Sequence, residues 1–328
     1  MDKRKIILDV DTGGDDAIAI MMAVLSSRLD LRAVTVTHGN LPLENTLDNT
    51  LRVVQFLGAD VPVYAGCPEA MAQWLRPGRC MNPMRQPQFG PDGRISSIHE
   101  AHLPLPEPKI RPQEQHAVSF LVDTLRKEKL TLVVVGPATN IAMALRMDPS
   151  IARNIEEFVV MGGGVNRSNA TQSAEFNFYM DPEAAEIMLR AGVKTTIFPL
   201  NATQSVLFNE QDGEDFRAVG TPVAEYIGKH ILFGCENVKK INLTAGDDDS
   251  FDIALHDVLC VLYLLDPAIV LEMKHQNAYV DFSGGYADGA LLVENRSYMD
   301  LTDDTYVTYR ADKARVKDLM IRILRSGG

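Results

Sequence analysis

The strongest constraint on the fold is a strand–turn–helix unit at the start of the chain. Residues 6–8 form an apolar run typical of a buried parallel strand, and the alanine-rich run after Asp16 is typical of a helix. The turn between them is unusually acidic, with Asp9, Asp11, Asp15 and Asp16 inside eight residues. A chain that begins in this way is expected to build an α/β sheet.

The spacing of these acids predicts a cation site. Asp9 and Asp11 are two residues apart, so they share one face at the end of the strand. Asp15 or Asp16 suits the helix N-cap, but a cap accounts for one carboxylate only. Carboxylates this close raise one another's pKa or recruit a cation, and Ca²⁺ and Mg²⁺ prefer such oxygen ligands. The alternative is a capped helix with spare surface acids.

The alternation of strands and helices continues along the chain. Strands are predicted over residues 31–37, 61–64, 131–135, 158–161 and 195–200, and helices over 43–57, 114–127 and 141–146. This βαβ rhythm predicts an α/β fold with an open, mostly parallel, Rossmann-like central sheet flanked by helices. Ligands of such sheets bind at the C-terminal ends of the strands, where we expect the active site. With no repeat or linker, residues 1–328 are expected to form a single domain.

Two parts of the chain are less regular. Residues 66–115 are rich in proline, glycine and polar residues, and a loop this long inside a domain predicts a lid or insert, or else disorder. Further on, an acidic loop over 246–250 precedes a predicted helix over 251–265 that carries His256 and Asp257 in its first turns. The chain ends with predicted strands over 278–282, 290–293 and 305–309 and a basic amphipathic helix over 313–324.

Charge and cysteine usage narrow the function classes. The 328-residue chain has a formal net charge of −12, which argues against nucleic acid or an anionic membrane as the main partner. No stretch approaches 18 uninterrupted apolar residues, and the N-terminus does not resemble a signal peptide. The widely spaced cysteines are typical of reduced thiols; they are Cys67, Cys80, Cys235 and Cys260. We therefore expect a cytoplasmic protein.

Several short motifs, in this order, closely resemble the nucleoside hydrolases, the inosine-uridine-preferring ribohydrolase family. They are Asp9-Val10-Asp11-Thr12-Gly13-Gly14-Asp15-Asp16, Gly39-Asn40, Gly136-Pro137-Ala138-Thr139-Asn140-Ile141-Ala142, Met161-Gly162-Gly163-Gly164, Ala174-Glu175-Phe176-Asn177 followed by Asp181-Pro182-Glu183, and His256-Asp257. The first matches the family signature D-x-D-P-G-x-D-D except that Thr12 replaces proline. The resemblance covers nearly the whole chain.

The resemblance implies a calcium site and a set of roles. The implied ligands are the side chains of Asp11, Asp16 and Asp257 and the backbone carbonyl of Val135. Asp11 would also act as the general base that activates water. The implied substrate is a ribonucleoside, and the family's usual assembly predicts a homodimer or homotetramer.

The remaining implied roles concern the sugar and the base. The residues expected to bind the ribose hydroxyls are Asp15, Asn40 and Asn177, with Asn169 and Glu175 on the 5′-hydroxyl side and Met161 beside the substrate. Asp9 would support its neighbours from behind. His256 would be the general acid for the leaving base, or at least line its pocket.

The chemistry explains these residue types. Cleavage of an N-glycosidic bond passes through a ribosyl oxocarbenium ion, which carboxylate and amide oxygens stabilise. A cation and a carboxylate base make water a nucleophile at neutral pH, and a histidine can protonate the departing base. Two alternatives stay open: a haloacid-dehalogenase-like Mg²⁺ phosphatase, because of the D-x-D start, and a non-catalytic, calcium-dependent nucleoside-binding protein.

Departures from the family pattern leave the base preference open. Residues 98–106 lack the glycines that many members have there, and Gln204 stands where a histidine is frequent. We expect Thr12 to loosen its turn slightly and to leave the metal site intact. Three aromatic residues are candidates for stacking on the base, namely Trp74, Tyr226 and Phe233.

Overall fold

The computed structural model describes residues 3–76, 101–240 and 251–327, together with two short strands between the first two ranges. Part of the predicted lid, including residues 98–100 and Cys80, and the whole acidic loop over 246–250 lie outside these residues. The lid therefore stays a prediction.

The strands of the described residues are, in chain order, β1 (Arg4–Val10), β2 (Leu29–Val36), β3 (Val63–Ala65), β4 (Gln88–Phe89), β5 (Ile95–Ser96), β6 (Leu130–Val134), β7 (Ile155–Met161), β8 (Thr195–Phe198), β9 (Leu207–Phe208), β10 (Ile253–Ala254), β11 (Val270–His275), β12 (Ala278–Val280), β13 (Leu291–Val293) and β14 (Thr305–Ala311). The helices are α1 (Gly14–Leu25), α2 (Leu43–Phe56), α3 (Ala117–Leu125), α4 (Thr139–Met147), α5 (Phe176–Met180), α6 (Pro182–Leu189), α7 (Leu200–Thr203), α8 (Glu210–Arg217), α9 (Pro222–Lys240), α10 (Val258–Leu265) and α11 (Lys313–Ser326).

Eight of the strands form one sheet in the order β11-β14-β8-β7-β6-β1-β2-β3. Every neighbouring pair is parallel except β11 with β14, which is antiparallel. The predicted α/β fold with a mostly parallel central sheet is therefore confirmed. Among the described residues, no helix is both long and apolar enough to span a membrane.

Helices cover both faces of this sheet, which is why its central strands are apolar on both sides. Along β1, Ile6 and Leu8 pack on the face covered by α1, α2, α9, α10 and α11. Ile7 points to the opposite face, which α3, α4 and α6 cover. The two cores leave the carboxyl ends of the parallel strands open for polar residues, as expected for this architecture.

Two local predictions were wrong, and one strand was missed. The N-cap of α1 is Gly13, not Asp15 or Asp16, and Asp16 instead accepts the Gly13 N–H from the first turn of the helix, at 2.8 Å. The helix predicted over 251–265 begins only at Val258, because Ile253–Ala254 pairs with β9. The edge strand β11 was missed, since most of its residues are exposed and polar alternation does not mark it.

Candidate active site

A cluster of carboxylates lies where β1 ends and α1 begins. Asp15 and Asp16 occupy the first turn of α1, and Asp257 immediately precedes α10. Carboxylate oxygens of these three residues all lie within 4.8 Å of one another. The N-terminus of a helix favours negative charge, so α1 offsets part of their repulsion. The predicted proximity of Asp16 and Asp257, more than two hundred positions apart in the chain, is present in the structure.

Asp11 is fixed beside this cluster by hydrogen bonds. Its backbone N–H donates to Oδ1 of Asp16 at 3.2 Å, and its Oδ2 accepts the N–H of Asn40 at 2.6 Å. The side-chain amide of Asn40 also donates to Oδ2 of Asp16, at 3.3 Å. Asn40 therefore holds two of the predicted metal ligands in one arrangement.

Two glycines explain why Asp11 can sit so close to the backbone. A Cβ added at Gly39 would lie 2.0 Å from Oδ2 of Asp11, and one added at Gly136 would lie 2.8 Å from its Oδ1. Any side chain at Gly39 would collide with the carboxylate. Glycines from two separate motifs therefore leave room for the carboxylate of Asp11.

The pKa values of Asp11, Asp16 and Asp257 are raised, mainly by burial and further by the charges of neighbouring acids. Burial is the largest cause and raises the pKa of Asp11 and of Asp257 well above the ordinary range; the charge of Asp16 adds to the shift of Asp11, and that of Asp15 to the shift of Asp257. Burial, with the charge of Asp15, also raises the pKa of Asp16 to about 7. A cation among these oxygens would oppose all of these shifts.

Asp9 is buried in β1, two residues before Asp11. Its Oδ1 accepts hydrogen bonds from the Thr35 hydroxyl at 2.5 Å and from the Asn140 amide at 2.9 Å. Its Oδ2 has no hydrogen-bond partner among the described residues. Burial raises the pKa of Asp9 to about 7.

The predicted ribose side is built on α5, which follows the Gly162–Gly164 run. Glu175 caps this helix: its Oε1 accepts the N–H of Asn177 at 2.9 Å, and its Oε2 accepts the N–H of Gly163 at 2.7 Å. The side-chain amide of Asn177 donates to the carbonyls of Val135 at 2.7 Å and Met161 at 3.1 Å. Four of the predicted site residues, from three segments, are therefore joined. The Val135 carbonyl keeps a second lone pair for a cation.

Asn169 has a different environment. It is exposed, and its Oδ1 accepts the N–H of Phe176 at 2.9 Å, which closes the loop before α5. This hydrogen bond fixes the loop that leads into Glu175.

His256 has a partner to which the sequence assigned no role. Its Nδ1 lies 2.8 Å from the hydroxyl of Thr203, a buried residue of α7. Burial lowers the pKa of His256, and the nearby charge of Asp15 opposes that shift. The signal for Thr203 lies in the unusual Asn201–Gln204 stretch, where the absence of the family histidine is the more conspicuous feature.

His230, a second histidine near the site, was also not predicted. A Cβ added at Gly14 would lie 1.9 Å from Cε1 of His230, so this ring packs directly on the start of α1. The ring of Tyr226, one of the predicted stacking candidates, lies parallel to it with centroids 6.5 Å apart. Trp74 and Phe233, the other two, are 74% and 41% exposed. His230 and Gly14 are more than two hundred residues apart in the chain, so no sequence pattern predicts their contact.

Thr12, which replaces the family proline, does not leave its turn loose. Its hydroxyl lies 2.7 Å from that of Thr50 on α2, and its carbonyl accepts the Asn49 amide at 3.2 Å. The turn is therefore not loosened, because these two hydrogen bonds hold it against α2.

Buried carboxylates, amides and a histidine at the carboxyl edge of a parallel sheet are what a metal-dependent hydrolase needs. The chain matches the family model for inosine-uridine preferring nucleoside hydrolases over residues 6–318. It is 38% identical over 288 residues to the pyrimidine-specific ribonucleoside hydrolase RihB of Escherichia coli strain SE11, across 86% of this chain and 83% of that protein.

Solved structures give the same assignment. A purine-preferring ribonucleoside hydrolase from Gardnerella vaginalis superposes with a TM-score of 0.82 and 27% identity, over 98% of this chain and 99% of that one. A plant nucleoside hydrolase, PpNRh1, has the same TM-score of 0.82, 27% identity and coverage of 98% and 99%.

The chain therefore belongs to the inosine-uridine preferring nucleoside hydrolase family, and it is a ribonucleoside N-ribohydrolase. The phosphatase and the non-catalytic binding protein, the two alternatives from the sequence, are thereby excluded. The oligomeric state and the cytoplasmic location stay predictions.

Proposed function

We propose that this enzyme hydrolyses the N-glycosidic bond of pyrimidine ribonucleosides in a calcium-dependent reaction that releases ribose and the free base. The observation that carries the proposal is the cluster of Asp15, Asp16 and Asp257, with carboxylate oxygens within 4.8 Å of one another and Asp11 bonded to Asp16.

The donor set fits calcium. All of its side-chain ligand atoms are hard carboxylate oxygens, which suit Ca²⁺ better than softer metals. The ligands would be Asp11, Asp16, Asp257 and the Val135 carbonyl, and Asp15 is close enough to join them. When bound, the cation supplies positive charge that lowers the pKa of the attacking water and draws in the ribose hydroxyls.

Asp11 is the proposed general base. It takes the proton of the attacking water, and its carboxylate is aimed by the Asn40 N–H at 2.6 Å. Because that donor is a backbone group on a turn next to β2, the Asp11 side chain can swing away only by losing this hydrogen bond. A base held in this way keeps the water in line with the anomeric carbon.

The sugar is proposed to lie between the acid cluster and α5. Asp15, Asn40 and Asn177 bind the ribose hydroxyls, and Asn169 and Glu175 lie on the 5′ side. Met161 flanks the sugar, and Asp9 supports Asp11 from behind. Positive charge develops on the ribosyl ring in the transition state, so these oxygens bind it more tightly than the neutral ground state.

His256 is the proposed general acid for the leaving base. Its ring is oriented by the Thr203 hydroxyl at 2.8 Å, which leaves Nε2 to face the base. Protonation of the base prevents negative charge from accumulating on it as the bond breaks.

The preference for pyrimidines rests on the relatives. The pyrimidine-specific RihB is 38% identical to this chain, whereas the purine-preferring structure is 27% identical. The pyrimidine assignment follows the relative with the higher overall identity.

The test is a kinetic panel. Purified enzyme is incubated with uridine, cytidine, inosine and adenosine, with calcium or with a chelator, and reducing sugar is measured. We expect kcat/KM for uridine and cytidine to exceed that for the purines at least about tenfold, a difference of about 1.4 kcal/mol in transition-state binding. Faster hydrolysis of inosine would overturn the pyrimidine preference, and full activity after chelation would overturn the calcium dependence.

A further inference from the structure

A buried chain of three polar side chains lies next to the acid cluster and has no assigned part in the reaction. His38 follows β2, Thr139 opens α4, and Asp181 caps α6. Nε2 of His38 lies 3.2 Å from the Thr139 hydroxyl, which donates to Oδ2 of Asp181 at 2.7 Å. All three residues are almost completely buried.

The direction of these hydrogen bonds follows from the single proton on the Thr139 hydroxyl. The Asp181 carboxylate already accepts the N–H groups of Met71 at 2.9 Å and Ala184 at 3.1 Å, so it is an acceptor for Thr139 as well. The hydroxyl has a single proton, which it gives to Asp181, and its oxygen must then accept from His38. Nε2 of His38 therefore carries a proton, and the ring is held in one orientation.

The position of His38 matters because the next two residues reach the acid cluster. Gly39 packs against the Asp11 carboxylate, and Asn40 beyond it holds Asp11 and Asp16 through its N–H and its amide. The position of the Gly39–Asn40 turn therefore depends on how firmly His38, the residue before it, is held. His38 is anchored through its ring to Thr139 and through its N–H to the Cys67 carbonyl, at 3.1 Å.

We propose that the His38–Thr139–Asp181 chain positions the Gly39–Asn40 turn over the acid cluster, so that Thr139 sets calcium affinity and turnover without touching calcium or substrate. The inference rests on the proposed calcium-dependent function. Thr139 is a positioning residue, and it acts through His38 and Asn40.

The test compares Thr139→Val, which keeps the shape and removes the hydroxyl, with Thr139→Ser, which keeps the hydroxyl. Calcium dissociation constants are measured by titration calorimetry on the substrate-free protein, and kcat is measured separately. We expect Thr139→Val to weaken calcium binding and lower kcat by about tenfold, the lower range for groups that orient metal ligands. Thr139→Ser should restore both to within about threefold of the wild type.

The matched control is Thr308→Val. Thr308 is another fully buried threonine, and its hydroxyl donates to the Ile197 carbonyl at 2.8 Å, within the sheet. This variant should lose thermal stability to a similar degree while calcium affinity stays at the wild-type value. If Thr139→Val binds calcium as tightly as the wild type, or if both variants weaken it equally, the proposal is wrong.

A second variant covers the case in which Thr139→Val does not fold. His38→Leu breaks the chain at its other end and should give the same weakening of calcium binding, about tenfold. The double variant should lose no more than either single one, because both remove the same hydrogen bond. Additive losses would contradict the proposal. A wild-type protein that binds no calcium would instead overturn the proposed function, so the two failures are distinguishable.

Discussion

The carboxylates on the two sides of the active site have different neighbours. On the side of α1, Asp15, Asp16 and Asp257 face one another within 4.8 Å. On the side of α5, the carboxylate of Glu175 is surrounded by backbone donors, the N–H groups of Gly163 and Asn177 at 2.7 and 2.9 Å. Asp16, Asp257 and Glu175 are all buried, and Asp16 also accepts backbone N–H groups, so the difference is that the acid-side carboxylates face one another.

This contrast shows what each side contributes. The acid side concentrates negative charge that a cation can neutralise, so its function depends on an added ion. The α5 side has its hydrogen bonds made before any ligand arrives, so its function is to hold a shape. Substitutions on the first side should act on calcium and chemistry, and those on the second on stability and substrate binding.

The largest effect should come from Asp11→Asn, which breaks the acid side at its proposed base. The amide keeps the size of the carboxylate but cannot take a proton, so kcat should fall at least about 10³-fold. Circular dichroism should show an unchanged fold. Asp148→Asn, which removes a carboxylate paired with Arg126 at 2.7 Å on the surface, is the control and should keep full activity. Substantial turnover by Asp11→Asn would show that another group is the base.

A smaller loss is expected from His256→Ala, and its size should depend on the leaving group. With uridine, kcat should fall by about 10²-fold because the base departs unprotonated. With p-nitrophenyl riboside, whose leaving group needs no proton, the loss should be within a few-fold. Equal losses on both substrates would mean that His256 positions the ligand only. Thr203→Val, which removes the 2.8 Å partner of His256, should show the same substrate dependence with a smaller loss.

Sequence reasoning located most of this site because its residues lie at the ends of regular elements. Asp11 follows β1 and was predicted as a cation ligand from the apolar run and the acidic turn after it, whereas Val135, which follows β6, was implied by the family resemblance. Parallel strands bring their carboxyl ends together in any order of the sheet, so proximity could be predicted without knowing that order. The strand order itself, and the antiparallel edge strand β11, could not be predicted.

The contacts that sequence reasoning missed join segments with no shared periodicity. Thr203 on α7 contacts His256, and His230 on α9 contacts Gly14, and neither contact follows from the periodicity of its helix. The same holds for the His38–Thr139 contact. A hydroxyl or a ring on a helix has the same sequence appearance whether it faces solvent or a site, so geometry alone distinguishes the two cases.

Glu175→Gln should disrupt the hydrogen bonds of the α5 side. The amide nitrogen of glutamine would face a backbone N–H that now donates to a carboxylate oxygen, leaving a buried donor unsatisfied at a cost of about 1–3 kcal/mol. We expect a lower melting temperature and a KM for uridine raised about tenfold, with calcium affinity unchanged. Asp16→Asn is the counterpart and should weaken calcium binding instead. If Glu175→Gln alters calcium affinity as strongly, the two sides are not independent.

The smallest effect, and the most direct measure of the contrast, is the rise in melting temperature caused by calcium at different pH values. Burial raises the pKa of Asp16 from the ordinary 3.8 to about 7, so between these values the folded, ion-free protein binds a proton that the unfolded chain does not. Its stability should therefore fall as pH rises through that range. Calcium replaces the proton, and its stabilisation, about 2.7 kcal/mol at a hundred times its dissociation constant, should grow with pH.

The measurement is a pair of melting curves, with calcium and with a chelator, at pH 5 and at pH 8. The difference between the two curves should be larger at pH 8, because at pH 5 calcium must first displace protons from the acid side. Glu175, whose pKa burial also raises to about 7, titrates in both curves and cancels in the difference, since it lies on the side that holds no ion. An equal calcium effect at both pH values would mean that the acid side is already ionised without calcium, and the contrast between the two sides would then be one of geometry alone.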